Sequence, residues 1–262
     1  MIVAGSMAGI IVQFIISVFI PIGLVIYGRR KGWLSWKPLG VGILIFILFS
    51  QILEKLLHVA VIDPTGPSLK WTDNPFLFVV YATLAAGIFE EMGRYLGFRW
   101  LLKRHHDYQD GLSFGIGHGG IEAILIGGIG AVNAWILTNL IQSGAFEQVI
   151  AASLSADQAA LLKQQVQQTT FAMYMLGGFE RLFALSFHIA MSLLVLFGVR
   201  RRQFRYVIYA ILLHALMDVA PALYQVKAVT NIWLVEGVAF IFAIIALIWT
   251  RRVKTQFVKE QG

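Results

Sequence analysis

The stretch Gly87-Ile88-Phe89-Glu90-Glu91-Met92-Gly93-Arg94-Tyr95-Leu96-Gly97 places two adjacent carboxylates and a guanidinium inside a long apolar segment. An ionisable group at bilayer depth costs at least a few kcal/mol unless it faces a bundle interior or a water-filled cavity. Three such groups within five residues therefore need partners. At 3.6 residues per turn, Glu90 and Arg94 fall on one helical face and Glu91 lies about 100° round it. This spacing predicts that one carboxylate pairs with Arg94 and leaves the other free. The structural reading is an ion pair that locks helices together; the functional reading is a reactive polar site.

Composition fixes the setting for that stretch. Among 262 residues, 58% are hydrophobic and only 13% charged, with a mean hydropathy of +0.74, which excludes an ordinary soluble domain. The chain reads as all-α, a polytopic membrane bundle. With no cysteine, neither disulfides nor thiolate chemistry is available. The first apolar segment ends at Arg29-Arg30-Lys31 without a small-residue cleavage signal and reads as a retained helix.

Seven segments are long enough to cross a hydrocarbon core of about 30 Å. They run near 10–27, 39–61, 75–102, 112–141, 171–199, 206–224 and 232–250. Fourteen basic residues follow segments one, three, five and seven, whereas the other three loops hold only Lys70, Lys163 and Lys227. The positive-inside rule then predicts an outside N-terminus and a cytoplasmic C-terminus. Without a linker or repeat of fixed period, residues 1–262 read as one membrane domain with an external polar insert at about 142–170. Within that insert, Ser155-Ala156-Asp157-Gln158 can cap a short amphipathic helix lying on the bundle, or simply a connector. The run Asp63-Pro64-Thr65-Gly66-Pro67 is turn chemistry, and Trp36, Trp71 and Trp249 suit the membrane interface.

Further polar groups recur inside the apolar segments. Phe114, His118 and Glu122 share a face at spacings of four on a glycine-rich helix, and glycines let another backbone approach closely. His214 and Asp218 repeat that spacing, so the carboxylate can orient the imidazole. Segment five adds Glu180, Arg181 and His188, of which Glu180 and Arg181 read as structural, as do Glu54, Lys55 and His58 near the outer end of segment two. Counted from the basic end of each helix at 1.5 Å per residue, Glu90, His118, His188 and His214 all lie roughly 10 to 20 Å deep. Because the segments alternate in direction, sequence position does not force this agreement, and it predicts one shared site in the cytoplasmic half.

Glu90-Glu91 with Arg94, Phe114-x-x-x-His118 and His214-x-x-x-Asp218, in that order, resemble the EExxxR, FxxxH and HxxxN motifs of type II CAAX prenyl endopeptidases and bacterial immunity-protein relatives. PrsW proteases and a gamma-secretase subunit are more distant members of that superfamily. Over nearly its whole length the chain resembles the YhfC family of intramembrane proteases from bacteria, which implies a multi-pass protein of the bacterial cell membrane. Two departures are visible: Arg94 stands one residue closer than in EExxxR, and Asp218 replaces Asn, which argues against prenylated-peptide specificity.

The resemblance implies an intramembrane peptidase. Glu90 would be the general base, holding a water jointly with His118, while His214 oriented by Asp218 supports the oxyanion or leaving amine. Glu91 and Arg94 would keep helix register and balance charge, with Glu122 and His188 in supporting places; periodicity leaves open which of Glu90 and Glu91 is the base. On this reading no cofactor is required, and zinc held by Glu90, His118 and His214 is the alternative. Metal-free chemistry ranks ahead because HExxH is absent. A proton-coupled transporter or a non-catalytic scaffold is the reading from another class. The expected partners are membrane lipids and a membrane-protein or lipopeptide substrate, with no nucleic acid; no oligomeric state follows.

Overall fold

The computed structural model describes residues 4–259 and is helical, with no β-strand among the described residues. Seven helices are long and apolar enough to cross a membrane, and the chain is a multi-pass membrane protein. They are α1 (Ala4–Arg30), α2 (Trp36–Val61), α3 (Pro75–Leu101), α4 (Tyr108–Ser143), α6 (Phe171–Arg200), α7 (Arg205–Gln225) and α8 (Ile232–Lys259). The shorter α5 (Ala156–Gln168) lies between α4 and α6. Each expected apolar segment coincides with a span, the structure adding a turn or less at most ends.

Local chemistry explains the boundaries. The Asn74 side chain accepts from the amides of Phe76 at 2.9 Å and Leu77 at 3.4 Å, and Pro75 supplies a fixed φ at the first helical position of α3. Ser155 starts α5 with a reciprocal box: its hydroxyl accepts from the Gln158 amide at 3.3 Å, and the Gln158 side chain accepts from the Ser155 amide at 3.1 Å. In the 62–74 connection, Asp63 accepts from the Thr65 amide at 2.8 Å, and the Thr65 hydroxyl and amide together hold the Asp63 carboxyl below its usual range.

Two compact units make up the described residues, one of residues 4–23 and 122–182, the other of 24–121 and 183–259. In the first, Ala159 and Val166 of α5 are buried while Leu161 is exposed, and Lys163 pairs with Glu147 at 2.7 Å. The second unit holds the main apolar core, including Ile45, Phe98, Phe114, Phe187, Leu193 and Leu196. Outward-facing Leu212, Leu216, Ile241 and Ile245 remain exposed, the pattern of surfaces solvated by lipid.

Glycines set the spacing of helices in the second unit. A Cβ on Gly117 of α4 would strike the Leu39 carbonyl of α2, and one on Gly42 of α2 would strike the Phe114 carbonyl of α4. Likewise, a Cβ at Gly115 would come within 2.5 Å of the Ile189 Cα on α6, and one at Gly87 of α3 within 2.8 Å of the Ile211 carbonyl on α7. Backbones therefore meet directly where larger residues would hold them apart. α2, α3 and α4 also contain widened π-type turns at Phe46–Glu54, Gly97–Leu101 and Ala123–Gly128.

Gly117→Val should destabilise the protein by about 1–3 kcal/mol through overpacking against Leu39. Gly237→Val, where an added Cβ meets nothing within 4 Å, serves as the control. Unfolding of each variant in micelles measures the difference; equal stability would show that the α2–α4 contact does not require glycine.

Candidate active site

Close helix approach brings the charged residues of α3 against imidazoles from three other helices. Arg94 and Glu91 are wholly buried, and Glu90 is 6% exposed. Arg94 donates from Nη1 to Glu91 Oε1 and from Nη2 to Glu90 Oε2 at 3.2 Å. The sequence-based expectation of one paired and one free carboxylate is thus corrected. A guanidinium forks over two acceptors, so residues three and four before it are both in reach.

Arg94 does more than neutralise carboxylates. Its Nη2 also lies 2.6 Å from Nδ1 of His188 on α6. On α4, Nε2 of His118 donates to Glu90 Oε2 at 2.9 Å. On α7, Nδ1 of His214 donates to Glu91 Oε1 at 2.7 Å. Asp218 stands 3.6 Å from the other His214 nitrogen. Glu90 and Glu91 thus divide the imidazoles between them, one taking His118 and the other His214.

Aromatic rings enclose this cluster. Phe46 meets the His118 ring edge-on at 5.2 Å, and Phe187 meets His214 edge-on at 5.6 Å. The His188 ring lies 5.1 Å from that of His118 and 5.6 Å from that of His214. Such a shell excludes bulk water and strengthens every charge interaction inside it.

Ligand atoms of Glu90, His118 and His188 all lie within 4.8 Å of one another, and all three residues are buried. Two imidazoles and one carboxylate are a donor set known for catalytic zinc. Glu90 and Glu91 also outnumber Arg94 by one charge, an excess that a bound cation offsets. The donor chemistry and the local charge therefore fit a divalent metal.

The third donor differs from expectation. His214, predicted as a zinc ligand in the metal alternative, has its nearer nitrogen on Glu91 and its Nε2 3.9 Å from Glu90. His188 takes the converging place instead. Its depth matched that of the other histidines, but it belongs to no two-residue motif, so spacing along α6 gave it only a supporting place. Glu122 lies in the other unit, where it accepts from Arg181 at 3.0 Å; Arg181 also binds Glu180. Of Glu54, Lys55 and His58, His58 pairs with Glu54 at 3.2 Å and bonds to Tyr81 at 2.9 Å, and Lys55 donates to Gln51.

A family described as YhfC intramembrane metalloprotease matches residues 16–239. The chain belongs to the YhfC family. Within it, the uncharacterized membrane protein YhfC of Bacillus subtilis (strain 168) is 39% identical over 243 residues, covering 92% of this chain and 94% of the relative. No solved structure matches. The family description favours the metal alternative over the metal-free glutamate reading.

In this YhfC-family chain, removing Arg94 alone should leave two buried carboxylates uncompensated. Arg94→Met is expected to lose about 3–5 kcal/mol of stability, as for other broken buried pairs. Glu91→Gln combined with Arg94→Met should recover part of that loss. A double-mutant cycle in micelles measures the coupling, and strict additivity would contradict a shared ion-pair network.

Proposed function

We propose that this protein is a metal-dependent intramembrane endopeptidase in which Glu90, His118 and His188 hold the metal. The observation that carries the reading is the convergence of these three buried donors from α3, α4 and α6. The family description supports it. When bound, zinc would act as a Lewis acid, polarising a peptide carbonyl and making water a stronger nucleophile near neutral pH.

The chain's own groups supply the remaining chemistry. Arg94 binds Glu90 and lies against Nδ1 of His188, which links α3 to α6; for His188 to offer its one lone pair to a metal, Arg94 would have to release that nitrogen. Glu91 binds Arg94 and His214 through one oxygen, while its other oxygen is buried with no hydrogen-bond partner. A buried acceptor of that kind is suited to take a proton from water. His214 is held by Glu91 through Nδ1, which leaves Nε2 facing the Glu90 carboxylate and Asp218. As the imidazolium, with both nitrogens protonated, it would donate from Nε2 to a developing oxyanion or to the leaving amine, and Asp218 would orient it.

With the basic loops in the cytoplasm, the site would lie in the cytoplasmic half of the bundle. Substrates would be membrane-spanning or lipid-bearing peptides cut near that face. The order of the three motifs supports placement in the wider superfamily of CAAX-type endopeptidases.

A metal-free reading rests on Arg94. A guanidinium 2.6 Å from His188 and 3.2 Å from Glu90 is a cation standing among cation ligands. In that reading Glu90 is the base and the imidazoles polarise the substrate.

Metal content separates the two. Purified native protein is expected to carry about one zinc per chain, and His118→Ala or His188→Ala should each reduce occupancy at least tenfold. His214→Ala should keep the metal yet lose at least a hundredfold in cleavage of a membrane-peptide pool, the scale of lost acid–base or oxyanion assistance. Full activity in metal-free protein, abolished by Glu90→Gln, would establish the glutamate mechanism instead.

A further inference from the structure

A second feature of the 24–121 and 183–259 unit lies at the ends of two spans, apart from the buried donors. Where α3 ends and α6 turns into α7, a cavity of about 590 Å³ is lined by Arg99, Trp100, Lys103, His106, Arg200 and Arg202, with Val199. Arg99, Val199 and Arg202 also line an adjoining cavity of about 360 Å³ with Tyr95 and Gln203. Among the described residues, neither lining contains a carboxylate.

The cations divide into one that is anchored and three that are not. Arg200 donates to the carbonyls of His106 and Phe257 at 3.4 Å each and stacks on the Phe257 ring at 5.0 Å. Among the described residues, Arg99, Lys103 and Arg202 have no acidic partner. Three cations gathered with no carboxylate partner among the described residues repel one another, so an anion would stabilise the arrangement.

Backbone geometry gives an independent indication. Arg202 adopts φ of +55° in the α6–α7 turn, where its amide bonds to the Val199 carbonyl at 3.2 Å. Glycine or asparagine is the favoured residue at such a left-handed helix end. An arginine there accepts a backbone penalty and places a guanidinium at the cavity instead.

Position identifies the source of the anion. The cavity sits where spans Pro75–Leu101 and Phe171–Arg200 end, and Trp100 beside it is 63% exposed, as interfacial aromatics are. Basic pockets between transmembrane helices suit phospholipid head groups. We propose that this cavity binds a phosphate group, carried by an anionic membrane phospholipid that seats against the α3 end and the α6–α7 turn. An arginine fork can meet phosphate oxygens pairwise, while Trp100 packs along the glycerol and upper acyl region.

The test uses the purified full chain in neutral detergent, titrated with dioleoyl phosphatidylglycerol and read by native mass spectrometry. Arg202→Gly is the informative variant, because it relieves the turn while deleting the cation. It is expected to retain or raise thermal stability and to weaken phosphatidylglycerol binding at least fivefold. Arg99→Gln with Lys103→Gln should weaken it similarly, whereas Arg30→Gln, which removes one charge outside the cavity as Arg202→Gly removes one within it, should leave binding within twofold. Native-like binding by Arg202→Gly, or equal weakening by Arg30→Gln, would overturn the site in favour of general surface attraction. Phosphatidylcholine binding as tightly would remove the anion from the account. Displacement of the lipid by millimolar inorganic phosphate would assign the cavity to a free anion, and displacement by polyglutamate at the same charge concentration would assign it to an acidic peptide.

Discussion

Arg94 is the constraint on which the polar interior depends. Its guanidinium is wholly buried and touches Glu90, Glu91 and His188, so one side chain connects α3 to α6 and orders both carboxylates of its own helix. Charges at this depth are tolerated only when satisfied. The carboxylates in turn fix His118 and His214, so the protonation and orientation of four helices' polar groups are coupled. Small residues permit this: α2, α4, α6, α3 and α7 approach at Gly42, Gly117, Gly115 and Gly87, where side chains would separate the donors.

Much of this architecture was legible in the sequence because membranes impose coarse rules. Seven apolar runs became seven helices, with ends set by the Asn74 cap and by turn residues such as Asp63 and Thr65. The helix after Ser155 was readable from its capping box. Depth along alternating helices also singled out Glu90, His118, His188 and His214 before any tertiary contact was known.

What spacing could not supply was lateral geometry. A period of 3.6 residues says which groups share a face of one helix, not which faces of different helices meet. His188 has no charged residue one turn away, so its place beside Glu90 and His118 depends on Gly115 and Gly119 admitting α6. Glu122 shares a face with His118 by spacing, yet its partner is Arg181. The enclosing rings of Phe46 and Phe187 carry no motif at all.

The central claim is that the buried donors form a metal centre, and the spectrum of the metal itself tests it most directly. X-ray absorption at the zinc edge of the purified, zinc-loaded protein should show two imidazoles and oxygen ligands at about 2.0–2.2 Å. One imidazole's contribution should disappear in His188→Ala while His214→Ala leaves the spectrum unchanged. A native spectrum that shows oxygen ligands alone, or one altered by His214→Ala and not by His188→Ala, would contradict the assignment of Glu90, His118 and His188.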